Sequence, residues 1–409
     1  MLGKPGPYLL GLACIERNGG FRTDNLKTYG GASDSRILVS PGDLIVSLKD
    51  VTQAADLLGA AVRVPDAIRE GRLTQDTVKL VFANNPDAKE YIYWLLRTPE
   101  ARRHCRSFAT GTTNLGLARL DFLSLAIPPL TEQRRHLIET LSALDDKIEL
   151  NGRMNETLEA SARALFRDWF VDFGPTRAKM AGQPAWLAPD LWFLFPDRLD
   201  DDGTPEGWVS YTVADLANQH TVSISPLDCA SEPFEHYSLP AFDNGQFPAL
   251  EFGGSIKSNK TVVPDHAILL SKLNPEISRV WLPNPNGGVR QIASTEFLAF
   301  VPKPRIGRSL VYSLFCDPTF RQTLEGMVTG TSKSHQRISP PALRSLAVLR
   351  GSRRAFAFFD QKASPLIEQM LANRLESRSL AETRDMLLPK LMSGAVRVRD
   401  AERAVAALC

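Results

Sequence analysis

The chain has 409 residues, a length that predicts two or three domains, each large enough to bury its own core. Hydrophobic content of 43% and charged content of 23% are those of an ordinary soluble globular protein, and no apolar run reaches the roughly 18 residues of a membrane span. Five scattered cysteines (Cys14, Cys105, Cys229, Cys316, Cys409) argue for reduced thiols in a cytoplasm and against a disulfide framework or zinc site, and a net charge of +2 singles out no polyanionic partner.

Residues 1–130 read as mixed α and β. Short apolar stretches at Arg36–Val39 and Leu44–Leu48 predict strands, the second entered by a tight turn at Ser40-Pro41-Gly42. Asn84-Asn85-Pro86-Asp87 reads as a helix-opening turn, and Tyr91, Trp94 and Leu95 give Asp87–Leu96 helical spacing. Thr98 caps a further helix with proline at its first position, Pro99. The apolar run Leu123–Pro129 ends in two prolines, where the domain closes. From Thr131 to about Phe170 the pattern is one helix of roughly 40 residues, about 60 Å long at 1.5 Å per residue. Leu137, Leu144, Asn151, Leu158 and Leu165 form its heptad line, and Leu141, Ile148, Asn155, Ala162 and Trp169 its second seam. Gly152 within it costs about 1 kcal/mol relative to alanine.

Gly174–Gly207 is a Pro/Gly-punctuated connector whose Trp186, Trp192, Phe193 and Phe195 predict packing along a surface. Within it, Asp200–Asp202 read as a solvated acidic turn. Trp208–Leu216 reads as an opening strand, and residues 208–350 repeat the mixed fold. Residues 353–393 repeat the helix, with Phe359, Leu366, Asn373, Leu380 and Leu387 on one seam and Ala363, Met370, Ser377, Arg384 and Leu391 on the other. Pro365 either opens this second helix, near Ser364, or kinks it. The tail after Gly394 reads as a short, poorly fixed end.

The two heptad lines match residue for residue at a separation of 222, and the one polar member, Asn151 or Asn373, holds the same slot. Upstream, Ser40-Pro41-Gly42 with its strand matches Val263-Pro264-Asp265 with its own at 223. Thr98-Pro99-Glu100 matches Asp317-Pro318-Thr319 at 219, and Thr110-Gly111-Thr112-Thr113-Asn114 matches Thr329-Gly330-Thr331-Ser332-Lys333 at 219. The chain is built twice. The counterpart of Trp208–Leu216 would fall before Met1, which fits a truncated first copy or a misassigned start. Residues 1–130 carry 16 Lys+Arg against 13 Asp+Glu, residues 208–350 carry 13 against 11, and residues 172–207 carry 3 against 7. Two basic modules with an acidic tether between them permit DNA binding.

Catalytic patterns are missing. Lys333 stands too far from Gly330 for a phosphate loop, no Gly-x-Ser-x-Gly or His-Glu-x-x-His occurs, and the six histidines lie far apart. The chain reads as one that binds and does not catalyse.

Several segments are more specific. Ala126-Ile127-Pro128-Pro129-Leu130-Thr131-Glu132-Gln133-Arg134 leads into Leu144-Asp145-Asp146-Lys147-Ile148-Glu149-Leu150-Asn151, followed by Asn155-Glu156-Thr157-Leu158 and Phe166-Arg167-Asp168-Trp169-Phe170-Val171-Asp172-Phe173. The last helix carries Leu387-Leu388-Pro389-Lys390-Leu391-Met392-Ser393-Gly394. Over nearly its whole length the chain resembles the specificity subunits of type I restriction-modification systems. The resemblance implies an α+β fold of two tandem mixed α/β target-recognition domains, each followed by a long helix, the two helices pairing as an antiparallel coiled coil. It assigns 1–130 to the first recognition domain, whose missing N-terminal edge departs from the family pattern, and 131–173 to the central conserved helix. Residues 174–207 form the connector, 208–350 the second recognition domain, 351–394 the C-terminal conserved helix and 395–409 a tail. A cytoplasmic, non-catalytic subunit is implied that reads a bipartite target in double-stranded DNA. It docks methyltransferase subunits and restriction/motor subunits, with S-adenosylmethionine, ATP and Mg2+ used by those partners and no cofactor in this chain. The helix pair would act as a spacer, its pairing residues being Leu137, Leu144, Ile148, Asn151, Leu158, Leu165, Phe359, Leu366, Met370, Asn373, Leu380 and Leu387. Asn151 and Asn373 either set register within the seam or lie on its solvated edge. The alternative to a reading subunit is a truncated copy that reads nothing and acts only as a helix-pairing interaction protein.

Base readout needs Arg, Lys, Asn or Gln, and phosphate contacts come from Lys, Arg, Ser and Thr. The candidates are therefore the loops after the repeated Thr-Gly: Thr112, Thr113 and Asn114, then Ser332, Lys333, Ser334, His335, Gln336 and Arg337. Lys257 and Lys260 precede the repeated strand, and Arg36 occupies that place in the first copy. Arg102, Arg103 and Arg106 form a basic helix edge, open to phosphate contact or to plain solvation.

Overall fold

The computed structural model describes residues 1–16, 20–23, 26–82, 86–112, 114–285, 287–328 and 336–393. Two compact units emerge, Met1–Leu150 with Glu376–Cys409, and Asn151–Leu375. Both boundaries fall inside the long helices, so each unit holds one mixed domain and part of each helix.

In chain order the first unit contains β1 (Tyr8–Leu10), β2 (Leu38–Val39), β3 (Leu44–Ser47), β4 (Lys49–Asp50), β5 (Ala61–Arg63), β6 (Gly71–Leu73) and β7 (Thr77–Leu80). Next come α1 (Pro86–Arg97), α2 (Pro99–Ser107), β8 (Leu115–Gly116), α3 (Arg119–Leu123) and the start of α4 (Glu132–Phe170). β3 lies between β5 and β7, antiparallel to both, and all four of its residues are buried. β6 runs parallel to β1 and antiparallel to β2. Asp34 delays the start of the predicted Arg36–Val39 strand: its carboxylate accepts the Arg36 backbone N–H and winds Ser35–Ile37 into a 3-10 turn, leaving β2 only two residues.

The second unit, after the end of α4, has α5 (Gly174–Met180), α6 (Pro189–Trp192), β9 (Val209–Thr212), α7 (Val213–Leu216), β10 (Ala217–His220), β11 (Ser223–Ile224), β12 (Pro233–Tyr237), α8 (Leu239–Asp243) and β13 (Ala249–Phe252). These are followed by β14 (Lys260–Val262), β15 (Ile268–Ser271), β16 (Val280–Trp281), β17 (Arg290–Ala293) and β18 (Phe297–Pro302). The unit closes with α9 (Arg308–Cys316), α10 (Pro318–Gly326), α11 (Pro340–Ser345), β19 (Ala347–Gly351) and the first part of α12 (Arg353–Ser393).

Strand pairing repeats with the sequence. β15 lies between β16 and β18, antiparallel to both, as β3 lies between β5 and β7. β17 is parallel to β12 and antiparallel to β14, as β6 is to β1 and β2. Even the turn before the buried strand recurs. Asp43 N–H donates to Ser40 O at 3.0 Å with Gly42 at φ 79°, and Ala267 N–H donates to Pro264 O at 3.2 Å with His266 at φ 59°. Both left-handed residues occupy the third place of the turn, a conformation that glycine adopts freely and histidine only under constraint. The turns align at 224, one more than the proline match suggests.

The second unit adds strands to this plan: β10 beside β18, β11 and β13 on the outer edges, and β9 paired with β19. Among the described residues, no strand borders β7 as β10 borders β18. The predicted opening strand Trp208–Leu216 stops at Thr212, where a capping box with Asp215 starts α7. In the connector, Leu191 and Phe195 enter the core while Trp186 is half exposed and Phe193 is 81% exposed, so only part of it packs down.

The second long helix begins at Arg353 rather than near Ser364, because Ser352 caps it and its hydroxyl accepts the Ala355 N–H at 3.2 Å. It runs through Pro365 without a break. Proline removes the hydrogen bond to Gln361 O, and both residues lie on the exposed side, where water can serve that carbonyl. Asn84, Asn85, the Thr329–Thr331 repeat, the Leu391 side chain and the tail after Gly394 lie outside the described residues.

Candidate nucleic-acid interface and helix seam

In the first unit, Leu137, Ile138, Leu141 and Leu144 of α4 share a core with Leu380, Leu387 and Leu388 of α12 and with Tyr91, Tyr93, Trp94 and Leu95 of α1; Ile148 packs at its margin. Asp145 meets Arg384 at 2.7 Å and Lys147 meets Glu376 at 3.4 Å. In the second unit, Phe166, Trp169 and Phe170 join Phe356, Phe359, Ala363, Ile367 and Met370. There Asn151 Nδ2 donates to Asn373 O at 3.4 Å, Asn373 Nδ2 to Asn155 Oδ1 at 3.0 Å, and Gln369 Nε2 to Asn373 Oδ1 at 2.8 Å. Numbers rise on one helix as they fall on the other, so the pairing is antiparallel within each unit. Asn151 and Asn373 are both buried and meet each other.

The heptad lines do not hold to their ends. Leu158 and Leu165 are half-buried and the burial passes to Ala162, Phe166 and Trp169; likewise Leu366 is half-buried and Ile367 takes the inner place. A helix of 3.6 residues per turn drifts against a 3.5-residue repeat, and the shift of the contact line by one residue follows that drift.

The recognition candidates occupy two unlike settings. In the first unit, Thr110 and Gly116 exchange backbone hydrogen bonds of 2.9 and 2.8 Å, closing a loop whose Thr112 and Asn114 are exposed. Gln53 Nε2 donates to Thr112 O at 3.3 Å and ties the tip to the loop after β4. Gly111, at φ 107°, admits no side chain, since a Cβ there would lie 2.4 Å from Asn114 O. Arg36 is 87% exposed, yet its fork grips Asp34, with Nη2 to Oδ2 at 2.6 Å. That contact holds the Asp34 carboxyl down at about 2. Arg36 thus presents a neutralised pair.

In the second unit, Lys257 is exposed on the turn before β14. Lys260 corrects the sequence reading: its side chain is buried and its ammonium donates to Ser258 O at 3.0 Å and Ser258 Oγ at 2.6 Å, so it braces the turn instead of facing solvent. Arg337 forms a fork-to-fork pair with Glu296 at 3.1 and 3.0 Å, and Gln336 O accepts from Asn274 N–H at 3.0 Å. Thr113, Ser332, Lys333, Ser334 and His335 lie outside the described residues.

The sequence reading missed the ionic clamp of the first unit. Asp145 sits between Arg97 and Arg384, with one carboxylate oxygen on each. The side chain of Arg97 is only 3% exposed; it also donates to Tyr93 Oη at 2.8 Å and lies over the Trp94 ring at 4.6 Å. In the second unit a different ion pair ties α4 to the domain, with Arg167 3.6 Å from Asp317 at the head of α10. A charged residue in a seam slot, Arg384, was the available sign. Among the described residues no group of three or more His, Cys, Asp or Glu could hold a metal, and no helix is long and apolar enough to cross a membrane.

Comparison with known proteins adds four findings. The family model described as type I restriction modification DNA specificity domain matches residues 67–160, from β6 into α4. The type I restriction enzyme HindI specificity subunit of Haemophilus influenzae is 25% identical over 361 residues, covering 75% of this chain and 77% of that one. The MjaIX specificity subunit of Methanocaldococcus jannaschii is 24% identical over 326 residues, covering 76% and 70%. In fold, the chain is similar to a crystal structure of a type I restriction-modification S subunit from M. genitalium, with a TM-score of 0.53 and 15% identity over 96% of this chain and 93% of that one.

Proposed function

Because the chain belongs to the family of type I restriction-modification specificity subunits, we propose that its two domains each read one half of a split target in double-stranded DNA. It is a DNA-specificity subunit and a non-catalytic one. Methyltransferase subunits are its proposed immediate partners, restriction/motor subunits the further ones, and S-adenosylmethionine, ATP and Mg2+ belong to them.

One observation carries this reading: the same strand order is built twice on the same pair of helices, but with different side chains on the loops. Thr112, Asn114 and Arg36 stand in the first copy; Lys257, Gln336 and Arg337 stand in the second. A shared scaffold with unlike polar tips is what two different half-sites require, since base edges are told apart by donor and acceptor pattern. We assign base reading to the Thr112–Asn114 loop and to the region of Gln336 and Arg337, with Lys257 on phosphate. The test is methylation of a random-sequence duplex pool by the chain mixed with its methyltransferase subunit and S-adenosylmethionine. Modification should fall on one two-part sequence. Modification without sequence preference would reject the proposal.

A further inference from the structure

In the first unit, a basin of about 390 Å³ opens beside α2, lined by Arg97, Arg102, Arg103, Arg106 and Asp56 on the domain side and by Asp385 of α12. Two of its charges are already spent: Arg97 on Asp145, and Asp385 on Arg384. That leaves three guanidinium groups around one carboxylate. Arg106 reaches Asp56 Oδ1 at 3.4 Å, and Arg102 Nη2 donates to the Asp56 backbone carbonyl. Arg103 is 75% exposed, and its ion pair among the described residues is a long one, to Glu100 at 3.9 Å. Arg102 Nη1 is buried and has no hydrogen-bond partner among the described residues. A buried donor left unmade is costly, and an anion entering the basin would supply its acceptor.

The second copy is an internal control. α10 is the repeat of α2, with the same proline start and with apolar Phe320 and Leu324 buried where α2 buries Ala101 and Cys105. At the outward positions Arg103 and Arg106 give way to Gln322 and Glu325, and only Arg102 keeps its charge, as Arg321. The fold therefore does not need these cations. What they gather is charge, at a place the scaffold leaves free to vary.

The basin is also joined along the chain to the loop assigned to base reading. α2 runs through Phe108 and Ala109 into the Thr110–Gly116 loop, and Gln53, which holds Thr112, lies three residues before Asp56. We propose that this basin seats a phosphate of the DNA backbone, clamped by Arg102, Arg103 and Arg106 next to the bases read by the Thr112–Asn114 loop; the proposal rests on the functional reading above. Arginine forks match phosphate oxygens two at a time, and such a contact sets position without reading sequence.

The experiment uses the full chain assembled with its methyltransferase subunit, and fluorescence anisotropy of labelled target and scrambled duplexes over a salt series. Arg103→Gln/Arg106→Gln should weaken both duplexes about tenfold alike and reduce the slope of log affinity against log salt by about one. Arg103→Gln alone, at a largely exposed residue, should show a smaller change in the same direction and guards against a folding defect. An unchanged slope in both variants would overturn the proposal. So would loss of methyltransferase assembly with an unchanged slope, which would give the basin to a carboxylate of the partner protein. Wild-type complex that binds neither duplex would overturn the functional reading itself, and this site with it.

Discussion

The two units hold similar domains on the same helices with different chemistry. The second uses rings: Phe166 and Phe359 meet edge-on at 5.8 Å, Trp169 and Phe359 at 6.1 Å, and Phe170 and Phe356 at 5.5 Å, all buried. The first uses leucines around a charged centre in which Asp145 faces two arginines. A helix that keeps one repeat can therefore carry two anchors, one indifferent to salt and one not. Ring packing is sustained by dispersion and burial, whereas a buried ion set depends on every member being present.

The comparison can be broken from either side. Phe359→Ala removes a ring from the centre of the aromatic cluster and should cost about 4 kcal/mol, read as early amide exchange in the second unit with the first unit unaffected. Asp145→Ala strands the buried Arg97 guanidinium and leaves Arg384 with Asp385 alone, and should cost about 3 kcal/mol, read in α1 and the first unit. Asp317→Ala, at the ion pair of the second unit, loses an N-cap and one long ion pair to the half-exposed Arg167, so about 1–2 kcal/mol is expected. Equal costs for Asp145→Ala and Asp317→Ala would erase the distinction between the two anchors.

The seam offers a sharper contrast, because there the repeats meet. Asn373→Leu leaves Asn155 and Gln369 without their partner and should cost about 1–3 kcal/mol. Asn151→Leu removes the separate bond to the Asn373 backbone carbonyl and should add its own cost of about 1 kcal/mol, and a double-mutant cycle measures any coupling between the two positions. The smallest effect concerns Arg36. With its folded pKa near 2, below the unfolded value, Asp34 stays ionised and its pairing with Arg36 persists until the pH falls toward 2. Mild acid should leave Arg36 held. Asp34→Asn should release it, with a modest gain in affinity for all DNA and a salt slope steeper by up to about one.

Much of this architecture was legible in periodicity and offset. The long helices, the buried strands β3 and β15 with their turns, and the capped starts of α2 and α10 all left local marks. The misses came from effects that local patterns do not carry. Pro365 reads as a helix boundary on propensity, but packing of Phe359, Ala363 and Ile367 on one face holds the helix through it. Leu366 reads as seam because a 3.5-residue count ignores the drift of a straight helix. Lys260 reads as a surface cation because its neighbours are polar; only the fold shows its ammonium folded back onto Ser258. Arg97 and Asp145 lie 48 residues apart, and nothing in either segment announces the other.

The central claim is that one fold built twice lets this chain choose a DNA sequence in two parts while other subunits modify it. Methylome sequencing of cells with and without the gene tests it most directly. The account predicts one bipartite motif, fully methylated when the gene is present and unmethylated when it is deleted. A methylation pattern unchanged by the deletion, or one confined to a single uninterrupted motif, would contradict it.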